Sequence, residues 1–344
     1  MASTPSEPVP SGTADDNEGA TRENGLGGPD GSCDRGREAG TPAAIPPRGW
    51  WDIVRRVFDR VVEQNVVILS AGIGFFAMLA LFPALAAVVT TYALIADPVD
   101  VAEHFATLST VLPADVASII GRQLQKLTGK QQGLGTGLVI GLLLAIWFAR
   151  RGVDALVRAV TVAYDEPETR GLIRLTVVTY LMTLGAIVLL VITMALLVAL
   201  PAALVWLPLS GQLSLAAQAG GWLLFLVAIQ LALGVLYRHG PPRRPARMRW
   251  LATGTLAATV LWGLGSAGFS VYAHSFGNFN ETYGTLGAII VLLLWFFLSA
   301  FSIVLGALLN AEMEHQTARD TTVGESRPMG ERGAYVADTL GKTP

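Results

Sequence analysis

The chain has 344 residues, of which 52% are hydrophobic and only 15% charged, and its 24 basic and 26 acidic side chains leave a formal charge of -2. That composition is typical of a membrane protein and lacks the surplus of Lys and Arg that a nucleic-acid-binding surface carries. The single cysteine, Cys33, excludes an intrachain disulfide and a Cys-based metal site.

Residues 1–47 are rich in Gly, Pro, Ser, Thr and acidic side chains and have almost no large apolar ones. Such a segment buries too little surface to offset its ordering entropy, so a disordered cytoplasmic tail is expected. No apolar core follows a basic start in it, so the first span is expected to direct insertion. Beyond it, Trp51, Val54, Phe58, Val61 and Val62 share one helical face, with Arg56, Arg60 and Glu63 on the other. Two readings fit this stretch: a helix lying along the inner membrane surface, or an ordinary helix packed on cytoplasmic loops.

Six apolar runs follow, at residues 66–95, 134–148 with a helical continuation, 175–200, 221–237, 250–272 and 284–309. Each is long enough to cross a bilayer, the second and fourth being the shortest. None alternates apolar with polar residues, so helices are expected and a barrel is not. The expected fold is all-α, a polytopic bundle of six transmembrane helices over residues 48–316, with a flexible cytoplasmic tail at 317–344. The long loop after the first span carries Val116, Ile119, Ile120, Leu124 and Leu127 at helical spacing, suggesting a short amphipathic helix on the outer face.

Arginine sets the orientation. Arg48, Arg55, Arg56 and Arg60 precede the first span; Arg150, Arg151, Arg158, Arg170 and Arg174 lie between the second and third; Arg238, Arg243, Arg244, Arg247 and Arg249 lie between the fourth and fifth. The connection between the third and fourth has no charge, and that between the fifth and sixth has only Glu281. The positive-inside rule therefore puts both termini of this multi-pass chain in the cytoplasm.

Two clusters invite a functional reading. In the fifth span Thr255, Thr259, Trp262, Ser266 and Ser270 share one side of the helix, and in the sixth Ser299, Ser302, Gly306 and Asn310 do the same. With Asn278, Asn280 and Tyr283 of the connecting loop, the residues Thr259, Ser266, Ser270, Ser302 and Asn310 form a candidate substrate path. The alternative is that the same small and hydroxyl side chains simply pack and bond their own backbones. The second cluster is Arg150, Arg151, Asp154, Arg158 and Arg170, in which Asp154 sits four residues from two arginines. It reads either as a topology signal with intrahelical pairing or as a site for anionic headgroups, and Arg243, Arg244, Arg247 and Arg249 allow the same two readings. Gln230 in the fourth span reads as a core hydrogen-bonding group.

Several stretches resemble the YihY family of bacterial inner-membrane proteins, also called the virulence factor BrkB family and formerly labelled ribonuclease BN. They are AGIGFFAMLALFPAL ending at Phe82 and Pro83 with its continuation, RGVDALVRA with YDEPETRG, and YGTLGAIIVLLLWFFLSAFSIVLGALLNAEME. In the last, Tyr283, Gly284, Gly287, Trp295, Gly306, Asn310 and Glu312 fall at family positions. Phe75 or Phe76, Ala80 and Thr161 stand where the family carries Tyr, Ser and Asn. The resemblance spans residues 50–314 and implies six spans in the cell inner (cytoplasmic) membrane, no settled activity, and a role in envelope integrity or in moving a lipid or other solute.

The residues themselves argue against an enzyme. His104, His239, His274 and His315 are far apart and form no ligand pattern, and the acidic run at 165–168 has no His to match and reads as a loop and helix cap. No metal, no cofactor and no nucleic-acid partner is expected. No phosphate-binding Gly-rich loop is present to supply energy, and the spans hold no mid-membrane carboxylate for proton coupling. The expected activity is movement of a lipid or other small amphiphile; the alternative is a noncatalytic envelope-maintenance scaffold, and ribonuclease is a weaker third. The expected partners are membrane lipids, with further copies of the chain or envelope proteins as alternatives.

Overall fold

Seven long helices and one short one carry the described chain. The computed structural model describes residues 35–95, 134–194, 196, 211–275 and 285–342. Helix α1 is Pro47–Glu63, α2 Val66–Ile95, α3 Leu134–Ala163, α4 Leu172–Met194, α5 Gly211–His239, α6 Met248–Ser275, α7 Thr285–Gln316, and the short α8 Tyr335–Asp338. Six of them, α2 to α7, are long and apolar enough to cross a membrane. Among the described residues the one β pairing is an isolated bridge between Ala246 and Thr322, so the fold is all-helical as expected. The amphipathic segment proposed for the loop after the first span lies outside the described residues.

Local chemistry explains the boundaries. Pro47 opens α1, where a missing N–H costs nothing, and Asn65, at φ 52°, makes the left-handed turn between α1 and α2. The apolar run at 134–148 continues as one helix through the charged residues to Ala163, because the chain leaves the apolar zone without any Gly or Pro to stop it after Gly152. The helix ends in a turn at Asp165, again left-handed at φ 52°.

Helix α7 packs against α1, α2, α3 and α6. Its closest approach is to α6, where Gly254 and Gly306 face each other. A methyl group on Gly306 would stand 2.6 Å from Gly254 O, 2.6 Å from Tyr237 Oη and 2.7 Å from Ala258 Cβ. Packing this close is how helices associate where no hydrophobic effect drives them together. On the other side, a methyl at Gly74 of α2 would lie 3.0 Å from Phe297 N. By contrast, α4 packs against α3 and α5 at the flank of the bundle.

Both ends of the described chain meet at the arginine-rich end of the bundle, here called the basic end. Of the loose tails expected from composition, residues 1–34 lie outside the described residues, while residues 35–47 and 317–342 fold together over α7. Ala318 N donates to Arg37 O at 2.7 Å, Gly341 N donates to His315 O at 2.9 Å, and Arg37 Nη2 donates to Gly341 O at 2.7 Å. Arg332 is buried and staples the C-terminal segment, donating to Ala337 O, Ala318 O and Arg327 O at 2.6, 2.7 and 3.1 Å. The Asp338 carboxylate accepts from Gly330 N, Arg332 N and Gly333 N at 2.8 to 3.0 Å. Order here comes from side chains bonding the backbone and from glycine turns together with a few buried apolar contacts, Ala39 and Ile45 on Trp250 and Met313 among them, and such sparse apolar residues are too few for a hydrophobicity argument to see.

Replacing Gly306 by Ala should destabilise the protein by about 1–3 kcal/mol, because the added methyl overpacks the α6–α7 contact. The matched change Gly263→Ala, where a methyl meets nothing within 4 Å, should leave stability unchanged or slightly raised. Thermal unfolding in detergent compares the two; equal losses would mean that Gly306 is not a close-packing point.

Candidate functional site

The polar residues of the fifth and sixth spans do face one another, across the α6–α7 contact. Trp262 Nε1 donates to Ser299 Oγ at 3.1 Å, and Trp295 Nε1 donates to Ser266 Oγ at 3.3 Å. Asn310 is fully buried and bridges the helices, accepting from Gly254 N at 2.8 Å and donating to Leu251 O at 3.2 Å. Ser302 is buried and bonds its own helix at Leu298 O. Thr259 donates to Thr255 O and accepts from Gln230 Nε2 at 2.9 Å, which ties α5 to α6. Ser270 lies farther along α6, while Asn278, Asn280 and Tyr283 lie outside the described residues.

The residues of the charge cluster at the end of α3 do not converge on one point. Asp154 pairs with Arg158 at 3.1 Å; Arg150 lies over the Tyr180 ring of α4 at 4.8 Å, and Arg151 over the Trp147 ring at 4.9 Å. Arg170 pairs instead with Glu168 at 2.7 Å, and its hydrogen bonds, set against partial burial, hold the Glu168 carboxyl below the usual carboxylate range.

A tighter electrostatic knot forms where α1 meets the end of α7. Glu312, 1% exposed, receives Arg60 Nη1 at 2.6 Å and Arg56 Nε, while Arg56 Nη2 reaches Gln316 Oε1 at 2.7 Å. Arg60 also pairs with Asp165, whose other oxygen accepts from Gln64 Nε2 at 2.9 Å. Glu166 accepts from Tyr335 N at 2.8 Å; burial outweighs that bond and pushes its carboxyl above the ordinary range. The acidic run at 165–168 therefore joins α1, the C-terminal segment and Arg170. Two residues along from Glu312, Glu314 is fully buried and holds Arg243 at 2.7 Å, with Thr321 Oγ1 donating to it at 2.7 Å; the Arg243 guanidinium lies 4.4 Å over the Tyr164 ring.

This knot turns α1 over. Arg56 and Arg60 point into the protein, and Trp51, Phe58 and Val62 stand 69%, 70% and 77% exposed on the opposite face. An apolar face turned away from the protein suits a helix lying at the membrane surface, and the charged face packed against the end of α7 realises the second reading at the same time.

A wide opening lies elsewhere. A groove of about 1220 Å³ runs between α4 and α5, with Val153 and Ile303 at its floor. It exists because the facing positions are small: Gly185 and Ala186 on α4, Ala228 and Ala232 on α5. A methyl on Gly185 would meet nothing within 4 Å. Leu181, Val188, Leu231 and Val235 line the groove and are exposed on the flank of the bundle. Its mouth is at the basic end, where Arg170, Arg174, Arg238, His239, Arg243 and Arg244 line it. In the sequence Arg174 and Arg238 signal only topology, and the one clue to the groove is the run of small residues on α4 and α5.

Six membrane-length helices with a deep apolar groove on one flank define a polytopic helical membrane protein. The chain belongs to the virulence factor BrkB family, whose profile matches residues 57–329. It is similar to the ribonuclease-like protein YfkH of Bacillus subtilis (strain 168), 28% identical over 274 residues that cover 75% of this chain and 94% of that protein. It is also similar to a UPF0761 membrane protein of Xanthomonas oryzae pv. oryzae, 36% identical over 92 residues covering 27% of this chain and 22% of that one. No solved structure matches the chain. Among the described residues no group of three or more His, Cys, Asp and Glu side chains could hold a metal ion.

The variant Glu312→Gln leaves Arg56 and Arg60 without their shared carboxylate, and removal of one partner from a buried ion pair costs about 3–5 kcal/mol. It should release α1 from the end of α7, seen as new protease cleavage between α1 and α2 with the other spans still folded. Unchanged protection would show that apolar contacts alone hold α1.

Proposed function

We propose that this protein moves an amphiphile along the α4–α5 groove, in the inner membrane, with its basic end in the cytoplasm. The observation that carries the reading is the groove itself. Its volume of about 1220 Å³ exceeds the roughly 300–1,000 Å³ of small-molecule sites. From Arg174 to Ile192, both on its lining, α4 rises about 27 Å, close to the hydrocarbon thickness of roughly 30 Å. An aliphatic chain fits such a surface, and a water-soluble solute does not. In this reading Ser266 and Asn310 hold α6 to α7, Thr259 holds α6 to α5 and Ser302 bonds its own helix, so the polar seam lies beside the route and does not line it.

The second reading, an envelope scaffold, draws support from the folded cap that residues 35–47 and 317–342 build at the basic end. A ribonuclease is disfavoured because the buried acids Glu312 and Glu314 are each engaged by arginine, leaving them unsuited to bind metal ions or act as a general base.

Purified protein in vesicles carrying a fluorescent phospholipid should speed its exchange between leaflets, and Gly185→Trp, which fills the groove without meeting any backbone, should abolish the gain. Wild-type protein no faster than empty vesicles would reject movement and leave the scaffold reading. A green fluorescent reporter fused after the last residue should be bright and an alkaline phosphatase fused there inactive; the opposite pattern would reverse the proposed orientation.

A further inference from the structure

We infer that the groove selects an anionic lipid, by a phosphate clamp at its mouth formed by Arg174 of α4 and Arg238 of α5. The inference rests on the groove reading and names the class of ligand. Arg174 is the third residue of α4 and Arg238 the next to last of α5, so the two stand at the same end of the two helices that wall the groove. Neither has a carboxylate partner among the described residues, whereas the acids nearby are already taken, Glu168 by Arg170 and Glu314 by Arg243. The mouth thus carries a surplus of positive charge directly above an apolar slot. Two cations without partners next to a hydrocarbon-lined cavity are complementary to one molecular class, a negative headgroup on aliphatic tails.

Arg244 deepens the positive mouth and is set by the C-terminal cap. Its backbone N donates to Gly333 O at 2.9 Å and its Nη2 to Glu325 O at 3.1 Å. Gly324, beside that Nη2, adopts φ 101°, the left-handed region that favours glycine. Nη1 of Arg244 is buried with no hydrogen-bond partner among the described residues. The cap thereby fixes one wall of the mouth, while Arg174 and Arg238 remain available to a headgroup.

The test uses the full chain in nanodiscs, with phosphatidylglycerol and phosphatidylcholine as probes that share their tails and phosphate but differ in net charge. Native mass spectrometry and fluorescent-lipid displacement should show phosphatidylglycerol bound roughly tenfold or more tighter than phosphatidylcholine. The pair Arg174→Gln with Arg238→Gln should reduce that ratio to near one while the uncharged background of binding persists. Arg249→Gln, an exposed basic-end residue outside the groove, should leave it intact. Absence of a preference in the wild type, or a preference that survives the double substitution, would overturn the clamp without touching the groove. Binding of both lipids undiminished by Gly185→Trp would instead remove the groove reading. Displacement of phosphatidylglycerol by millimolar inorganic phosphate alone would assign the mouth to a free anion, against the lipid.

Discussion

A carboxylate taken out of water at the end of a membrane helix is stable only beside cations, and Glu312 obtains them from a separate helix. Arg56 and Arg60 on α1 supply both. The demand is local, but its consequences spread. It brings α1 back against the end of α7, it turns the apolar face of α1 outward, and through the second contact of Arg60 it fixes the turn at Asp165 that ends α3. Desolvation makes such a pair weak evidence of net stability and strong evidence of arrangement, since either partner left alone would be far worse than both absent. Glu314 repeats the logic with Arg243, and there the cation comes from the connection between α5 and α6. The last turns of α7 therefore act as the post to which α1, the α3–α4 turn and the α5–α6 connection are all tied.

Small residues serve two opposite ends in this bundle. At Gly254 and Gly306 the missing side chains let two backbones come together, and the buried Asn310 spends its amide on the same contact. At Gly185, Ala186, Ala228 and Ala232 the missing side chains are not compensated by approach, and a groove is left. The difference lies in what else holds the helices. The α6–α7 pair is drawn in by Trp262, Trp295 and Asn310 hydrogen bonds, while the prolines of the turn at 240–245, whose Arg243 is anchored to α7, line the groove at the basic end.

The spans were legible because their signal is length and hydropathy, which need no partner to be read. The six runs map onto α2 to α7, and the charged continuation of the second run is helical to Ala163. The facing of the Ser, Thr and Asn residues on α6 and α7 was legible too, from helical period alone. What they face was not: whether two polar stripes enclose a path or close on each other depends on interhelical distance, and that is set by Gly254 and Gly306 acting together. The folded ends were hidden for another reason. Their order rests on Arg332, Asp338 and Thr317 bonding backbone groups of distant segments, and a polar residue that will bond a carbonyl looks in sequence like one that will bond water. Likewise the Arg56–Glu312 pair joins residues on different helices, and no spacing rule links them.

One connection draws these parts together. The turn between α5 and α6 carries Arg243 and Arg244 as neighbours, the first held by Glu314 of α7 and the second by backbone carbonyls of the C-terminal segment. Both residues also line the mouth of the groove. The width of that mouth is therefore set by the end of the central helix and by the folded cap, and not by α4 and α5 alone. A change in how the cap sits would move Arg244 directly, and with it one wall of the opening, while the spans stayed in place. In the reading proposed for this protein, that makes the cap the part of the chain best placed to govern entry of an amphiphile, and it gives a physical reason for residues 35–47 and 317–342 to be folded at the basic end of the bundle.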